Sequence, residues 1–557
     1  MNSFGNLLVV VAAQLAFYIP LPMWALARVN WQGQGERLFG AIVAALCSAA
    51  LWGRLCNGHG IGVEVAFGIW VALWIAIGLF LRRRGSRHTL HRPDWILVAI
   101  LLLAAVVRFI HPLQTWALGQ SDSYSHLGFL INVLEDGKVA NTDYPPAYAW
   151  VCAFPAWLSH IHPYWTVRFG GAFFGVGLVL GVFALTAQMK NRTAGLTAAA
   201  LVAGCPLFYL LQKTGVGSFA NQLGLLLLVI AALWAFATRR FACLMASLLA
   251  LAVSVPMMLL HVLILLALWI FAERRSIRAY LSFFALLILV GLGMLFVSTH
   301  LPAARGMVIA ALLTGKYSLA AHTDASWPKV LHILAADFFS FKRIGYWSWL
   351  PNSGAIAITS VFALSLIAGI RKKTLPWRQI GLWGLLTSAN VHLGWLQFSD
   401  YQREGWSFLL ALACLGGLLF EALWQRHSTR AWRIPLGAIL ASSCVAGIVF
   451  PPTHNILAGP SESDVVKYLL HLNPNVTVLT RKASAFPGGQ GDVARTLHPR
   501  VIHSITDLKS TKGVRLLPAR PPHALAHNAA GHARVATAPD ESDEALLRRR
   551  RGADTAT

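Results

Sequence analysis

Long unbroken apolar runs set the first constraint on this chain. "LGLLLLVIAALWAFA", which begins at Leu223, and "WILVAILLLAAVVRFI", which begins at Trp95, approach or reach the length at which a helix crosses ~30 Å of hydrocarbon, and similar runs recur. The alternation of a lipid-facing β-barrel is absent, so helices must satisfy the backbone. Composition agrees: of 557 residues, 56% are hydrophobic and 12% charged, with a mean hydropathy of +0.59, well outside soluble globular usage. The expected fold class is an all-α polytopic membrane protein with about 12 to 14 transmembrane helices, followed by a small soluble α/β appendage and a disordered tail.

The formal charge is +24, from 46 basic and 22 acidic side chains. That excess does not point to nucleic acid, because the basic residues stand in short clusters beside apolar runs and read as topology determinants. The clusters are "RRRGSRHTLHR" (82 to 92), "KNR" (190 to 192), "RR" (239 to 240), "ERR" (273 to 275), "RKK" (371 to 373) and "RHSTRAWR" (426 to 433), all expected to be cytoplasmic. Helices are then expected near 7–27, 38–55, 62–81, 94–112, 166–188, 194–211 and 221–238, with a hairpin of two short helices within 241–272, and further helices near 278–298, 353–370, 378–397, 406–424 and 434–451. Loops 113–165, 212–220, 299–352 and 398–405, with everything after Pro451, share the non-cytoplasmic side.

Three regions follow: N-terminal transmembrane helices over 1–93, a transmembrane core over 94–451, and a small non-cytoplasmic domain over 452–517, in which "VTVLT" is strand-like. The Ala-, Pro- and His-rich stretch 518–557 is expected to be a disordered basic tail. The first basic residue is Arg28, so Leu7 to Ala27 reads as a retained helix and not a cleaved signal. Seven cysteines (Cys47, Cys56, Cys152, Cys205, Cys243, Cys414, Cys444) stand singly, with no CxxC pair for a metal or a disulfide framework.

Against this background the loop "WALGQSDSYSHLGFLINVLEDGKVANTDYPPAY" (116 to 148) is anomalous, carrying Asp122, His126, Glu135, Asp136 and Asp143 in a chain poor in carboxylates. Within it Leu127, Phe129, Leu130, Val133 and Leu134 recur at helical spacing, so a helix lying along the interface is expected, with Asp122 just before it near its positive N-terminal end. There the ionised carboxylate is favoured. Helix capping by Ser121 or Asp122 explains the same placement without catalysis.

The stretch "SDSYSHLGFLINVLEDGKVANTDYPPAYAW" resembles the first external loop of the GT-C superfamily of membrane glycosyltransferases, above all the catalytic subunit of oligosaccharyltransferase and its bacterial and archaeal relatives. In that family an aspartate followed by tyrosine and histidine, here Asp122, Tyr124 and His126, opens the loop, and "YPP", here beginning at Tyr144 beside Asp143, closes it. "KNRTAGLTAAALVAGCPLFYLLQKTGVGSFANQLGLLLL" is similar to the family's cytoplasmic turn and second external loop. The resemblance implies that Asp122 is the catalytic aspartate, acting either as the base that activates an acceptor hydroxyl or as a metal ligand. It further implies a polyprenyl-phosphate-linked sugar as donor, a glycan, lipid or protein as acceptor, and a bacterial inner (plasma) membrane location with the active side non-cytoplasmic. The chain departs from the pattern where the family's second external loop carries an acidic pair, because "GSFANQ" offers Ala220, Asn221 and Gln222. A divalent cation profits from several charged oxygen ligands, so metal dependence is left open. The family's "WWD" peptide-binding signature has no clear match.

The loop "WLQFSDYQREGWSFLL" (395 to 410) sets Arg403 between Tyr401 and Trp406 at the start of a helix. A guanidinium fork fits phosphate oxygens, and the resemblance implies the same role, with Arg403, Tyr401 and Lys213 as donor-phosphate candidates. The competing reading of Arg403 is a silent surface pair with Glu404 or Asp400, worth ~0 to 1 kcal/mol. Lys342 and Arg343 are weaker external cations. His126 stands one helical turn after Asp122, where it could orient the carboxylate or donate to phosphate. His261 and Glu64 are ionisable groups inside apolar stretches, with helix packing as the plainer role. Two other classes fit the composition: a transporter or lipid-linked sugar flippase, and an assembly protein docking through the basic "LLRRRRG" tail. Polar chemistry gathered on one face favours an enzyme over a transporter.

Overall fold

The computed structural model describes residues 3–84, 93–114, 116, 118, 121–139, 146–204, 218–254, 256–273, 352–393 and 401–426, with isolated positions between 434 and 442 and short strands after 476. The first helices are α1 (Ser3–Tyr18), α2 (Pro20–Ala25), α3 (Gln34–His59) and α4 (Val63–Arg84). Then come α5 (Trp95–Gln114), α6 (Ser121–Asp136), α7 (Ala147–Ser159), α8 (Pro163–Met189), α9 (Arg192–Gly204) and α10 (Ser218–Ala237). The last are α11 (Phe241–Ser254), α12 (Pro256–Ala272), α13 (Asn352–Arg371), α14 (Leu375–Leu393) and α15 (Tyr401–Arg426). Three short strands, β1 (Thr477–Leu479), β2 (Val501–Ile502) and β3 (Val514–Arg515), pair in parallel in the order β2-β1-β3, and β1 falls inside "VTVLT".

The described chain is almost entirely helical, and five segments are long and apolar enough to cross a membrane: Ser3–Arg28, Gln34–His59, Val63–Arg83, Pro163–Met189 and Ser407–Arg426. Burial separates them. Helix α8 is the axis of the bundle, with 94% of its apolar window buried, whereas α4 has 28% buried and presents Val65, Leu73, Leu79 and Phe80 outward. An apolar face of that kind is stable only against lipid or another protein.

Polar contacts sort the helix ends into two sets. At one end Asp94 takes a two-pronged pair from Arg192 (2.7 and 2.8 Å), and Glu421 accepts from Asn191 Nδ2 at 2.7 Å with Lys190 Nζ at 3.8 Å. Glu36 meets Arg240 at 3.2 Å, and the Arg240 guanidinium lies 4.2 Å over the Trp31 ring. The Phe236 and Trp269 rings meet near the same level, tilted at 59° with centroids 6.1 Å apart, so the ends of α10 and α12 join this set, where Gln379 donates to Glu273. The three ion pairs among the described residues all belong here. The two short helices expected within 241–272 are α11 and α12, and α12 opens at Pro256, which has no N–H to continue a preceding helix.

At the opposite end the acidic segment is tied to α3. Asn57 Oδ1 accepts from Val139 N–H (2.8 Å) and from Trp150 Nε1 (3.3 Å). Gly60 and Gly137 close α3 and α6 at φ of +62° and +67°, where a side chain is strained, and a Cβ at Gly137 would fall 2.6 Å from the Ile61 carbonyl oxygen. Helix α7 was not expected: it lies inside what sequence marked as loop 113–165, because its 13 residues are too short to read as a crossing. Ten of its side chains besides Ser159 are nonetheless buried, against α1, α3 and α6.

Candidate functional site

Helix α6 begins at Ser121, so Asp122 lies in its first turn and not ahead of it. The periodic face read from sequence is the buried one: Leu127, Leu130 and Val133 are 1% exposed or less. That face packs on α7, α8 and α10. His126, one turn after Asp122, is 4% exposed, with its ring 5.1 Å from Tyr148 of α7 and 6.1 Å from Phe129. It is therefore a buried residue of the α6–α7 seam and not an interfacial one. Tyr124 shares the first turns of α6 with Asp122.

Helix polarity locates the remaining candidates. Starting from Glu421 at the Lys190 end, α15 climbs α9: a Cβ at Gly417 would meet the Ala194 carbonyl oxygen at 2.4 Å, and one at Gly416 would meet Leu201. Since α9 runs away from Asn191, the N-terminus of α15 heads for the end of α9, where Arg108 donates to the carbonyls of Val202 (2.7 Å) and Ala203 (3.1 Å). At 1.5 Å per residue Arg403 lies about 27 Å from the level of Glu421, and Arg168 about 33 Å from that of Lys190. Tyr401, Arg403 and Glu404 thus share the bundle end that holds α6. Asn221 and Gln222 open α10 at that end too, since the other end of α10 meets Glu36 through Arg240. His261 is fully buried in α12, five residues after Pro256, and Glu64 is exposed on α4. Lys213, Asp143, Tyr144, Lys342 and Arg343 lie outside the described residues.

Of the three buried arginines overlooked in the sequence, Arg54, Arg108 and Arg168, two are held by backbone carbonyls. Arg108 sits on the last carbonyls of α9, where a cation complements the negative helix end. Arg168, fully buried near the start of α8, donates from Nε to the Pro112 carbonyl (2.7 Å) and from Nη1 to the Tyr164 hydroxyl (3.4 Å). The Tyr164 hydroxyl in turn donates to the Trp116 carbonyl, so the chain entering α6 is fastened to α8. Each is a lone arginine within an apolar stretch, which is the signal that could have found both.

Among the described residues no three metal-ligating side chains converge.

The described chain is therefore an α-helical bundle with spans of membrane-crossing length and one end rich in tryptophan and buried arginine. No family model and no curated protein matches its sequence. Its structure is similar to archaeal oligosaccharyltransferase AglB from Archaeoglobus fulgidus in complex with an inhibitory peptide and a dolichol-phosphate, at 13% identity and a TM-score of 0.49, over 74% of this chain and 64% of that one. The apo form of the A. fulgidus oligosaccharyltransferase gives 12% and 0.45 over 73% and 64%. Its complex with Zn and sulfate gives 14% and 0.48 over 73% and 62%. The chain thus spans somewhat less than two thirds of the length of these enzymes.

Proposed function

We propose that the chain is a GT-C glycosyltransferase that moves a sugar from a polyprenyl-phosphate-type lipid to an acceptor on the non-cytoplasmic side, with inversion at the anomeric carbon. Asp122 takes the proton of the acceptor as its oxygen or nitrogen bonds to the anomeric carbon. The bond from that carbon to the lipid phosphate oxygen breaks, and Arg403 balances the charge left on the phosphate. His126 orients Asp122, with Tyr124 beside it. Tyr401 and Lys213 assist Arg403 in binding the phosphate, and Asp143, Tyr144, Asn221, Gln222 and Glu404 have supporting roles. The reading includes about 12 to 14 crossings of a bacterial inner membrane, an α/β appendage over 452–517 that contains the described strands, and a tail over 518–557.

One observation carries the proposal: the backbones bearing Asp122 and Arg403 run to the same bundle end, although 281 positions separate them in sequence. The test is to incubate the purified full chain with a panel of polyprenyl-phosphate and polyprenyl-diphosphate sugars, with and without chelator, and to follow loss of the lipid-linked sugar. Turnover of one donor with release of polyprenyl phosphate or diphosphate is expected. Movement of donor across vesicles without cleavage would identify a flippase instead.

A further inference from the structure

The Arg168 guanidinium is a buried charge with no ion-pair partner among the described residues. Its neighbours are the Pro112 carbonyl, the Tyr164 hydroxyl and four aromatic rings, with centroids at 4.8 Å (Trp116), 5.1 Å (Trp165), 5.4 Å (Phe169) and 5.8 Å (Tyr164). Among the described residues no carboxylate pairs with it, and Nη2 has no hydrogen-bond partner. A guanidinium carries five donors in a fixed fork, and two are used here. Position compounds the imbalance. Arg168 is the sixth residue of the 27-residue α8, and long helical side chains lean toward the N-terminus, so the cation sits at the positive end of the helix. Buried charges of this kind are stable when paired. The aromatic faces compensate part of the charge and leave the fork on Nη2 unfilled.

We propose that Arg168 binds a phosphate-class oxyanion, which enters where Trp116 covers the guanidinium. Trp116 is partly exposed, whereas Tyr164, Trp165 and Phe169 are buried, so the cover on that side is the one ring that can yield. The anion accepts from Nη2 and gains the positive end of α8. A lipid phosphate monoester and free inorganic phosphate present the same oxygens. The site is separate from Arg403 and stands whether or not the chain transfers a sugar.

The experiment reads binding and not turnover. The full chain in lipid nanodiscs is titrated with inorganic phosphate, with a polyprenyl monophosphate and, as control, with the neutral polyprenol, following tryptophan emission. A response to the lipid phosphate alone identifies a headgroup site, and a response to inorganic phosphate, or its competition with the lipid, identifies a free-anion site. Either supports the proposal when it persists in Arg403→Ala, which removes the donor-phosphate contact proposed above. Arg168→Gln and Arg168→Lys should bind about tenfold to a hundredfold more weakly, the factor carried by one charge-assisted hydrogen bond. Wild-type protein that responds to neither phosphate, or equally to the polyprenol, overturns it, as do folded variants of unchanged affinity. If Arg168→Gln and Arg168→Lys do not fold, Trp116→Phe decides, since it keeps the guanidinium: an emission change that survives undiminished places the anion elsewhere and overturns the assignment.

Discussion

At the scale of single residues, Asp122 and Arg403 make separable predictions. Asp122→Asn keeps the size of the side chain and removes the base, so transfer should fall by about 10²- to 10⁴-fold while donor binding is retained. Unchanged transfer in a single-turnover assay would remove Asp122 from the chemistry. Arg403→Ala should weaken donor binding first, and unaltered affinity would end its phosphate role. Asp94 tests the opposite bundle end. Arg192 donates to it and holds its carboxyl below the usual carboxylate range, aided by the Leu97 N–H. A depressed carboxylate contributes stability that is complete above its unfolded value of 3.8 and is lost as pH falls below it. Melting of the wild type should therefore be flat between neutral pH and about 4 on account of this pair and should drop below that. Because the pair is largely exposed, its share is about 0.2 to 1 kcal/mol. Asp94→Asn should remove that share and keep the cap on α5, whereas Asp94→Ala should lose a further ~1 kcal/mol as the Leu97 N–H goes unsatisfied. Equal melting of the two variants would show that the cap contributes nothing.

At the scale of elements, small residues set the height at which α15 meets α9. A Cβ at Gly417 would lie 2.4 Å from the Ala194 carbonyl oxygen and 3.0 Å from Ala198. The obstacle is backbone, which cannot rotate away. Gly417→Ala gains roughly 0.5 to 1 kcal/mol of helix propensity but forces an overpacked contact of about 1 to 3 kcal/mol. The clash should win, with a lowered melting temperature and a shift of the α15 N-terminus, so donor affinity should weaken at a distance. A stabilised Gly417→Ala protein would show that α15 does not ride on α9 as described. Apolar periodicity made the helix α6 readable, because 3.6-residue spacing is a local property, but the face expected along the membrane interface packs instead on α7, α8 and α10. Helix α7 was not readable: its 13 residues are buried by neighbours from distant parts of the chain, and no local signal carries that information.

For the whole molecule, the two sets of helix ends predict sidedness. Lys138 is exposed at the α6–α3 end, and Lys372 is exposed at the end of α13 where the chain turns into α14, beside the Glu273–Gln379 contact. With the native cysteines replaced, Lys138→Cys in intact cells should react with a membrane-impermeant maleimide and Lys372→Cys should react only after lysis. Labelling of both in intact cells would sink the single-sided arrangement on which the glycosyl-transfer reading depends. Sequence by itself determined that this chain is a set of apolar helices with basic clusters beside them and one segment rich in carboxylates, because hydropathy and charge act through solvent and need no partner. Only the tertiary structure decided which ends meet, that His126 is buried under Tyr148, and that Arg168 is walled by Trp116, Trp165 and Phe169 with no described carboxylate paired to it, since such walls come from residues the local pattern does not bring together.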